Sequence, residues 1–255
     1  MFAGIDACGG GWVVVIAEGP RPLRLIHAAV HGTFAEAMAC VSTASAVAVD
    51  IPIGLMDEGF RECDVAAHKL MGSRGMVVFM APPRPVLKAK TYTEAKTICQ
   101  SLCGQSMSRQ AFGIMPKIAE VDTWMRAQKR REPRLQDRVF EVHPELCFRA
   151  LNGGKPVAES KHGAAGLDCR YALLHDHFLS QNPRPWVRAF LRGKPGSKVK
   201  EDDVVDAAVA CVTAATWAPG ATIPRPRPPR DSDGLRMEMR YPAVVTRKID
   251  QRRFP

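Results

Sequence analysis

The five residues Ala46-Val47-Ala48-Val49-Asp50 form an apolar, β-branched run that stops at a carboxylate and turns on Pro52 and Gly54. The missing apolar/polar alternation predicts a strand covered on both faces, as parallel strands are. The amino terminus repeats the design, with Phe2-Ala3-Gly4-Ile5 leading to Asp6 and Gly9-Gly10-Gly11 predicting a tight turn. Residues 12–17 form a second β-branched segment and 23–30 a third, so the opening reads as an antiparallel meander. Thr33 is placed to cap a helix over 34–41, with Glu36 as an early acid. That helix supplies the crossover by which residues 46–50 return parallel to the first strand.

After Gly54 the pattern turns helical and irregular. A helix is expected over 61–71, a rigid extended loop at 81–85 (Ala-Pro-Pro-Arg-Pro), and helices over 91–102 and 108–128, the second broken at Pro116. Lys129-Arg130-Arg131 reads as a solvated helix end. Residues 139–142 predict a short strand, and Pro144 suits the first turn of a helix reaching 151. A helix with an apolar face is expected over 163–179, broken by Asn182-Pro183-Arg184-Pro185, then a short one over 186–191 and an exposed basic loop at 194–198. Residues 201–217 are apolar nearly all round after the first turn, which predicts a buried helix. The Pro/Arg-rich stretch 219–230 should be extended, 234–241 should add an edge strand, and the last twelve residues should be poorly ordered.

This order predicts an α/β fold of the ribonuclease-H-like type. It has a mixed five-stranded sheet, helices on both faces, and a helical insertion at about 54–137 between strands four and five. Residues 1–218 form the domain and 219–255 a carboxyl-terminal extension. Strands one and four then lie side by side, and Asp6 and Asp50 end adjacent parallel strands, where open α/β sheets place ligands.

Composition changes the picture in three ways. A hydrophobic fraction of 46% against 24% charged residues is ordinary for a folded protein. No apolar run approaches the ~18 residues of a membrane helix, and no secretion-signal pattern opens the chain, so a cytoplasmic location is expected. The net charge of +10 suits a polyanionic partner, with nucleic acid (DNA or RNA) the expected one. Basic residues of the last segment (Arg225, Arg227, Arg230, Arg236, Arg240, Arg247, Lys248, Arg252, Arg253) supply much of the excess, so a tail effect is the alternative. The eight cysteines form no C-x-x-C pair, which argues against structural zinc and for small buried hydrophobes. Oligomeric state is not legible.

The candidate chemistry lies in the acids. Asp203 and Asp206 are three apart and share one side of their helix. Asp203, like Glu201 and Asp202, is equally explained as a first-turn acid stabilised by the helix dipole. Asp206 lies deeper, among Val205, Ala208 and Val209, where an uncompensated carboxylate costs on the order of several kcal/mol. Asp6 or Asp50 alone could be a turn cap. Two at matching strand ends, with more acids on a buried helix, form a cluster whose repulsion calls for a counter-ion. Mg²⁺ or Mn²⁺ would supply it, as two ions ~3.5–4 Å apart acting on a phosphodiester. Asp6, Asp50, Asp203 and Asp206 are the candidate metal ligands, with Glu141 as a further catalytic acid. His143 and Glu145 are candidates for moving protons or orienting a donor, or else a helix cap and a first-turn acid. Lys117 and Lys161 are candidate phosphate contacts.

Seven stretches together carry a family resemblance: Gly4-Ile5-Asp6, Val49-Asp50-Ile51-Pro52-Ile53-Gly54, Arg61-x-Cys63-Asp64, Val78-Phe79 with Pro82-Pro83-Arg84-Pro85, Pro116-Lys117-Ile118-x-Glu120-Val121-Asp122, Glu141-x-His143-Pro144-Glu145 and Asp202-Asp203-x-x-Asp206-Ala207. Over about residues 3–217 the chain resembles domain-of-unknown-function family 429, described as predicted ribonuclease-H-like nucleases. The resemblance implies a ribonuclease-H-like fold with Asp6, Asp50 and the Asp203/Asp206 pair in the positions of the metal-binding acids. The last motif is also similar to the closing D-x-x-D-A of Holliday-junction resolvases. Two departures are Ile51, where the family more often has alanine, and Ala67-His68, where an arginine is expected. A metal-dependent nuclease is the leading expectation. One alternative is an ATP-dependent phosphotransferase or ATPase of the actin-like superfamily, whose first phosphate loop Asp6-Ala7-Cys8-Gly9-Gly10-Gly11 resembles; the chain is too short for two full copies of that fold plus the insertion. The other is a non-catalytic binding module.

Overall fold

The computed structural model describes residues 1–177, 179–194, 197–218 and 220–243. Part of the expected basic loop (195 and 196), residue 178 of the expected helix over 163–179 and the last twelve residues lie outside the described residues.

β1 (Phe2–Cys8), β2 (Gly11–Glu18) and β3 (Arg24–His31) form the antiparallel meander. α1 (Phe34–Cys40) starts at a capping box: Thr33 Oγ1 accepts the Glu36 N–H, and the Glu36 carboxylate accepts the Thr33 N–H. The chain returns as β4 (Ala46–Asp50), parallel to β1. The insertion holds α2 (Glu62–Met71), a 3-10 turn (Gly72–Val77), a second 3-10 turn (Arg84–Lys88), α3 (Tyr92–Cys103), α4 (Arg109–Arg131) and α5 (Leu135–Arg138). β5 (Val139–Glu141) pairs parallel with β4. Then come α6 (Pro144–Leu151), α7 (Ala164–His177), α8 (Pro183–Arg192), α9 (Glu201–Thr216), β6 (Thr222–Ile223) and β7 (Met239–Arg240). The sheet order β3-β2-β1-β4-β5 is the ribonuclease-H-like layout expected from the sequence. Among the described residues no helix is long and apolar enough to cross a membrane.

The sheet has two buried faces. Ala3, Ile5, Val14, Val47, Val49 and Val139 pack beneath α1 and α4, with Phe34, Ile118 and Val121. Val13, Val15, Ala48 and Phe140 pack beneath α6 to α9, with Phe148, Leu174, Val187 and Val205. α9 lies directly on β1, and Gly4 is what permits it. A Cβ there would sit 2.0 Å from the Ala207 carbonyl oxygen and 2.3 Å from the Cys211 nitrogen.

Four expectations need correction. α4 runs unbroken through Pro116, because its buried stripe of Ala111, Met115, Ile118, Val121 and Met125 continues on both sides and outweighs one lost backbone bond. The proline stretch near 81–85 is extended only up to Pro83; Arg84 then opens a 3-10 turn, whose first positions tolerate proline. Asn182-Pro183 starts α8, the Asn182 side chain accepting the Arg184 N–H at 3.0 Å, so proline here sits at the first helical position. The late strand pairs with β6 in a separate two-stranded ladder, and the bridge Val142–Arg240 is its link to the end of β5.

The carboxyl-terminal segment is threaded into the fold. Buried Asp231 accepts the Leu55 N–H at 3.2 Å and the Leu235 N–H at 2.8 Å. Arg84 bridges Asp231 (2.5 Å) and Asp122 (3.1 Å), tying this segment to the insertion. Arg240 lies over the rings of Phe140 (4.4 Å) and Trp217 (4.1 Å). These contacts make Arg84, Asp231 and Arg240 framework residues.

Candidate metal centre

Parallel pairing of β1 and β4 sets Asp6 directly opposite Asp50. Strand side chains alternate, so with Ile5 and Val49 facing α1 and α4, both aspartates face α9. The close approach at Gly4 brings Ala207, and with it Asp206, down onto that end of β1. One carboxylate oxygen from each of Asp6, Asp50 and Asp206 lies within 4.8 Å of the other two. Asp206 is 1% exposed and Asp6 6%.

The three acids shift one another. Burial, then repulsion from Asp50 and Asp206, pushes the Asp6 carboxyl well above its ordinary value. Burial and the Asp206 charge push Asp50 up to about 8. Burial also raises Asp206, to about 6, against the opposing pull of Lys161. Lys161 Nζ donates to Asp206 Oδ2 at 2.5 Å. Burial works against the Lys161 ammonium, but Asp206, Asp6 and Asp50 outweigh it and hold its pKa above the ordinary lysine value. Asp206 Oδ1 is left buried with no partner, and Asp6 Oδ1 accepts the Ala7 N–H at 2.7 Å. Three carboxylates thus face one ammonium. An orphaned anionic oxygen among hard oxygen donors fits Mg²⁺ or Mn²⁺.

The other expected residues are placed as follows. Asp203 lines the same cavity, but its Oδ2 accepts the Lys200 N–H at 2.8 Å, so it caps α9 and lies outside the mutual 4.8 Å group. Glu141 is paired in register with Val49 and so points to the opposite side of the sheet from Asp50. There Arg61 grips it in a fork, Nη1 to Oε2 at 2.7 Å and Nη2 to Oε1 at 2.8 Å, and the Ile53 N–H adds a bond to Oε2 at 2.7 Å. Glu145 Oε1 accepts from buried Arg170 at 2.5 Å, while its Oε2 has no hydrogen-bond partner and lies 3.8 Å from Arg74. Burial lowers the His143 pKa, favouring the neutral ring, and its Nδ1 is unpartnered. Lys117 is not brought to the cavity: its Nζ sits over the Trp12 ring at 4.7 Å and 3.9 Å from Glu120. At the two family departures, Ile51 is buried in the α1/α4 face and also lines the cavity, whereas His68 packs against Gly75 and does not line it.

The acids lie in a cavity of about 430 Å³. Sequence reasoning assigned no role to several lining residues. Arg61 and Asp64 had a legible signal in their i,i+3 spacing and opposite charge. Arg74 and Gln110 had none, since nothing local separates them from surface polar residues.

Fold and site together define an α/β protein with a ribonuclease-H-like sheet and a buried triple-carboxylate cluster at the carboxyl ends of two parallel strands. The profile of the family described as "Protein of unknown function (DUF429)" matches residues 4–231, and the chain belongs to that family. No curated protein and no solved structure matches it.

Proposed function

We propose that this protein is a divalent-cation-dependent phosphodiesterase acting on nucleic acid. The observation that carries the reading is the convergence of Asp6, Asp50 and Asp206 within 4.8 Å, with Lys161 bonded to Asp206 beside them. Asp6, Asp50 and Asp206 would hold Mg²⁺ or Mn²⁺. Such ions, when bound, polarise a phosphoryl oxygen and lower the pKa of water. Lys161 neutralises Asp206 and, being one-third exposed, can swing its ammonium to a substrate phosphate. His143 can take up a proton at its unpartnered Nδ1. Arg74, at the cavity wall, offers a second positive group. The net charge of +10 supports a polyanionic substrate.

The test is cleavage of labelled DNA and RNA with Mg²⁺ or Mn²⁺, compared with Asp6→Asn and Asp50→Asn. Metal-dependent cleavage lost in both variants is expected. Absence of cleavage of every substrate with either ion overturns the reading. The Lys161–Asp206 bond favours a second one, a binding module whose acids are already part-neutralised. Inactivity together with a melting temperature unmoved by Mn²⁺ would select it.

A further inference from the structure

Resting on that reading, we infer that the substrate is an unpaired nucleic-acid strand, because the insertion walls the acids and the cavity that holds them is of single-nucleotide size. Asp6 and Asp206 are 6% and 1% exposed and Asp50 is half-buried, so a scissile phosphate has to enter the cavity to meet all three. One wall carries Arg74, Met76 and Phe79 from the insertion's first half, and Gln110 and Ile114 come from the first turns of α4. Ser160, Lys161 and His162 close the side toward α7.

The cavity of about 430 Å³ falls in the range of small-molecule sites, ~300–1,000 Å³. That suffices for one nucleotide and its flanking phosphates. A cavity of this volume does not admit the stacked, paired bases of a duplex. Stacked and paired bases would stop at the rim, whereas an unpaired nucleotide can enter with its phosphate.

The lining chemistry agrees. Met76 is 84% exposed at the rim, an apolar thioether facing solvent, with Phe79 and Ile114 also in the lining. An unpaired base offers its π-face to such groups, and a paired base hides it. Arg74 and Lys161 supply charge for the phosphates, and Arg74 Nε is buried without a partner. Apolar contact for one base beside cations for a backbone is a pattern suited to either sugar, so DNA and RNA form separate arms of the test.

The experiment uses the full chain with Mn²⁺ and four labelled substrates: single-stranded DNA, single-stranded RNA, the matched blunt duplex, and that duplex with a short unpaired flap. One or both single strands and the flap should be cut roughly ten- to a hundredfold faster than the duplex, the scale set by unpairing and unstacking a nucleotide. Cuts in the flapped substrate should fall within or beside the flap. Met76→Ala, at a position too exposed to disturb folding, should raise KM for the unpaired strand roughly fivefold or more with kcat unchanged. Equal or faster cutting of the blunt duplex, lost in Asp50→Asn, overturns this inference and leaves the nuclease reading standing. No cutting of any substrate removes both.

Discussion

Two buried acid clusters flank the same cavity, and they are opposite in kind. In the first, Arg61 serves Glu141 and Asp64, and every carboxylate oxygen has a donor. Asp64 Oδ2 takes Arg61 Nε at 3.1 Å and the Ala81 N–H at 2.9 Å, and its Oδ1 takes Arg61 Nη2 at 2.5 Å. In the second, three aspartates share Lys161, and Asp206 Oδ1 has no partner. The first is saturated and fixes the turn after β4 to β5 and the insertion. The second is short of positive charge, and that deficit is the property a cation site needs. Burial of acids alone does not mark function; an unmet demand for charge does.

The largest expected effect breaks the saturated cluster. Arg61→Met strands two buried carboxylates and should cost about 3–5 kcal/mol of stability, read by urea unfolding. A loss under ~1 kcal/mol would mean that Arg61 is not the counter-ion of that cluster. Next comes Gly4→Ala, which forces α9 off β1 and should cost about 1–3 kcal/mol. Because it pulls Asp206 from Asp6, it should also remove any Mn²⁺-induced rise in melting temperature, while Arg61 keeps its partners.

The pH response crosses both clusters, because burial also pushes Glu141 up to about 7 against the pull of Arg61, but the metal-linked part of it belongs to the aspartates. Asp6, Asp50 and Asp206 bind protons more tightly folded than unfolded, with Asp50 raised to about 8 and Asp206 to about 6. Between pH ~4 and ~8 the native state therefore holds more protons. The cluster's contribution to stability is full below pH ~4 and is lost as pH rises through the folded values. Metal displaces those protons, so the stabilisation by Mn²⁺ should grow from pH 5 to pH 8 in scanning calorimetry. A shift independent of pH would mean that Mn²⁺ binds elsewhere. The smallest effect is Asp50→Asn, which relieves repulsion and should raise metal-free stability at pH 8 by about 1 kcal/mol while abolishing the Mn²⁺ response. Glu141→Gln, on the saturated side, should instead lower stability, because it removes the charge facing Arg61.

Much of this was legible in the chain. The apolar runs before Asp6 and Asp50 predicted two covered strands, and parallel adjacency placed their terminal acids side by side. Asp206 stood out as an acid set deep in an apolar helix. Glu141 does line the cavity, as its place on the neighbouring strand suggested, but strand adjacency says nothing about which face a residue takes. Its pairing with Val49 turned it toward Arg61. Lys117 misled for a related reason: α4 is continuous, and its rotation puts that lysine over Trp12.

What the sequence determined by itself was therefore the local alphabet. Burial pattern gave the strands, capping gave helix starts such as Thr33, and an apolar surround marked Asp206. Only the tertiary structure decided which charges meet. Lys161 reaches Asp206 across 45 residues, Arg61 reaches Glu141 across 80, and Asp231 reaches Leu55 across 176. Strand alternation has period two, so a register shifted by one residue would exchange Asp50 and Val49 between the two faces. Propensity senses neighbours along the chain, whereas electrostatic saturation depends on neighbours in space.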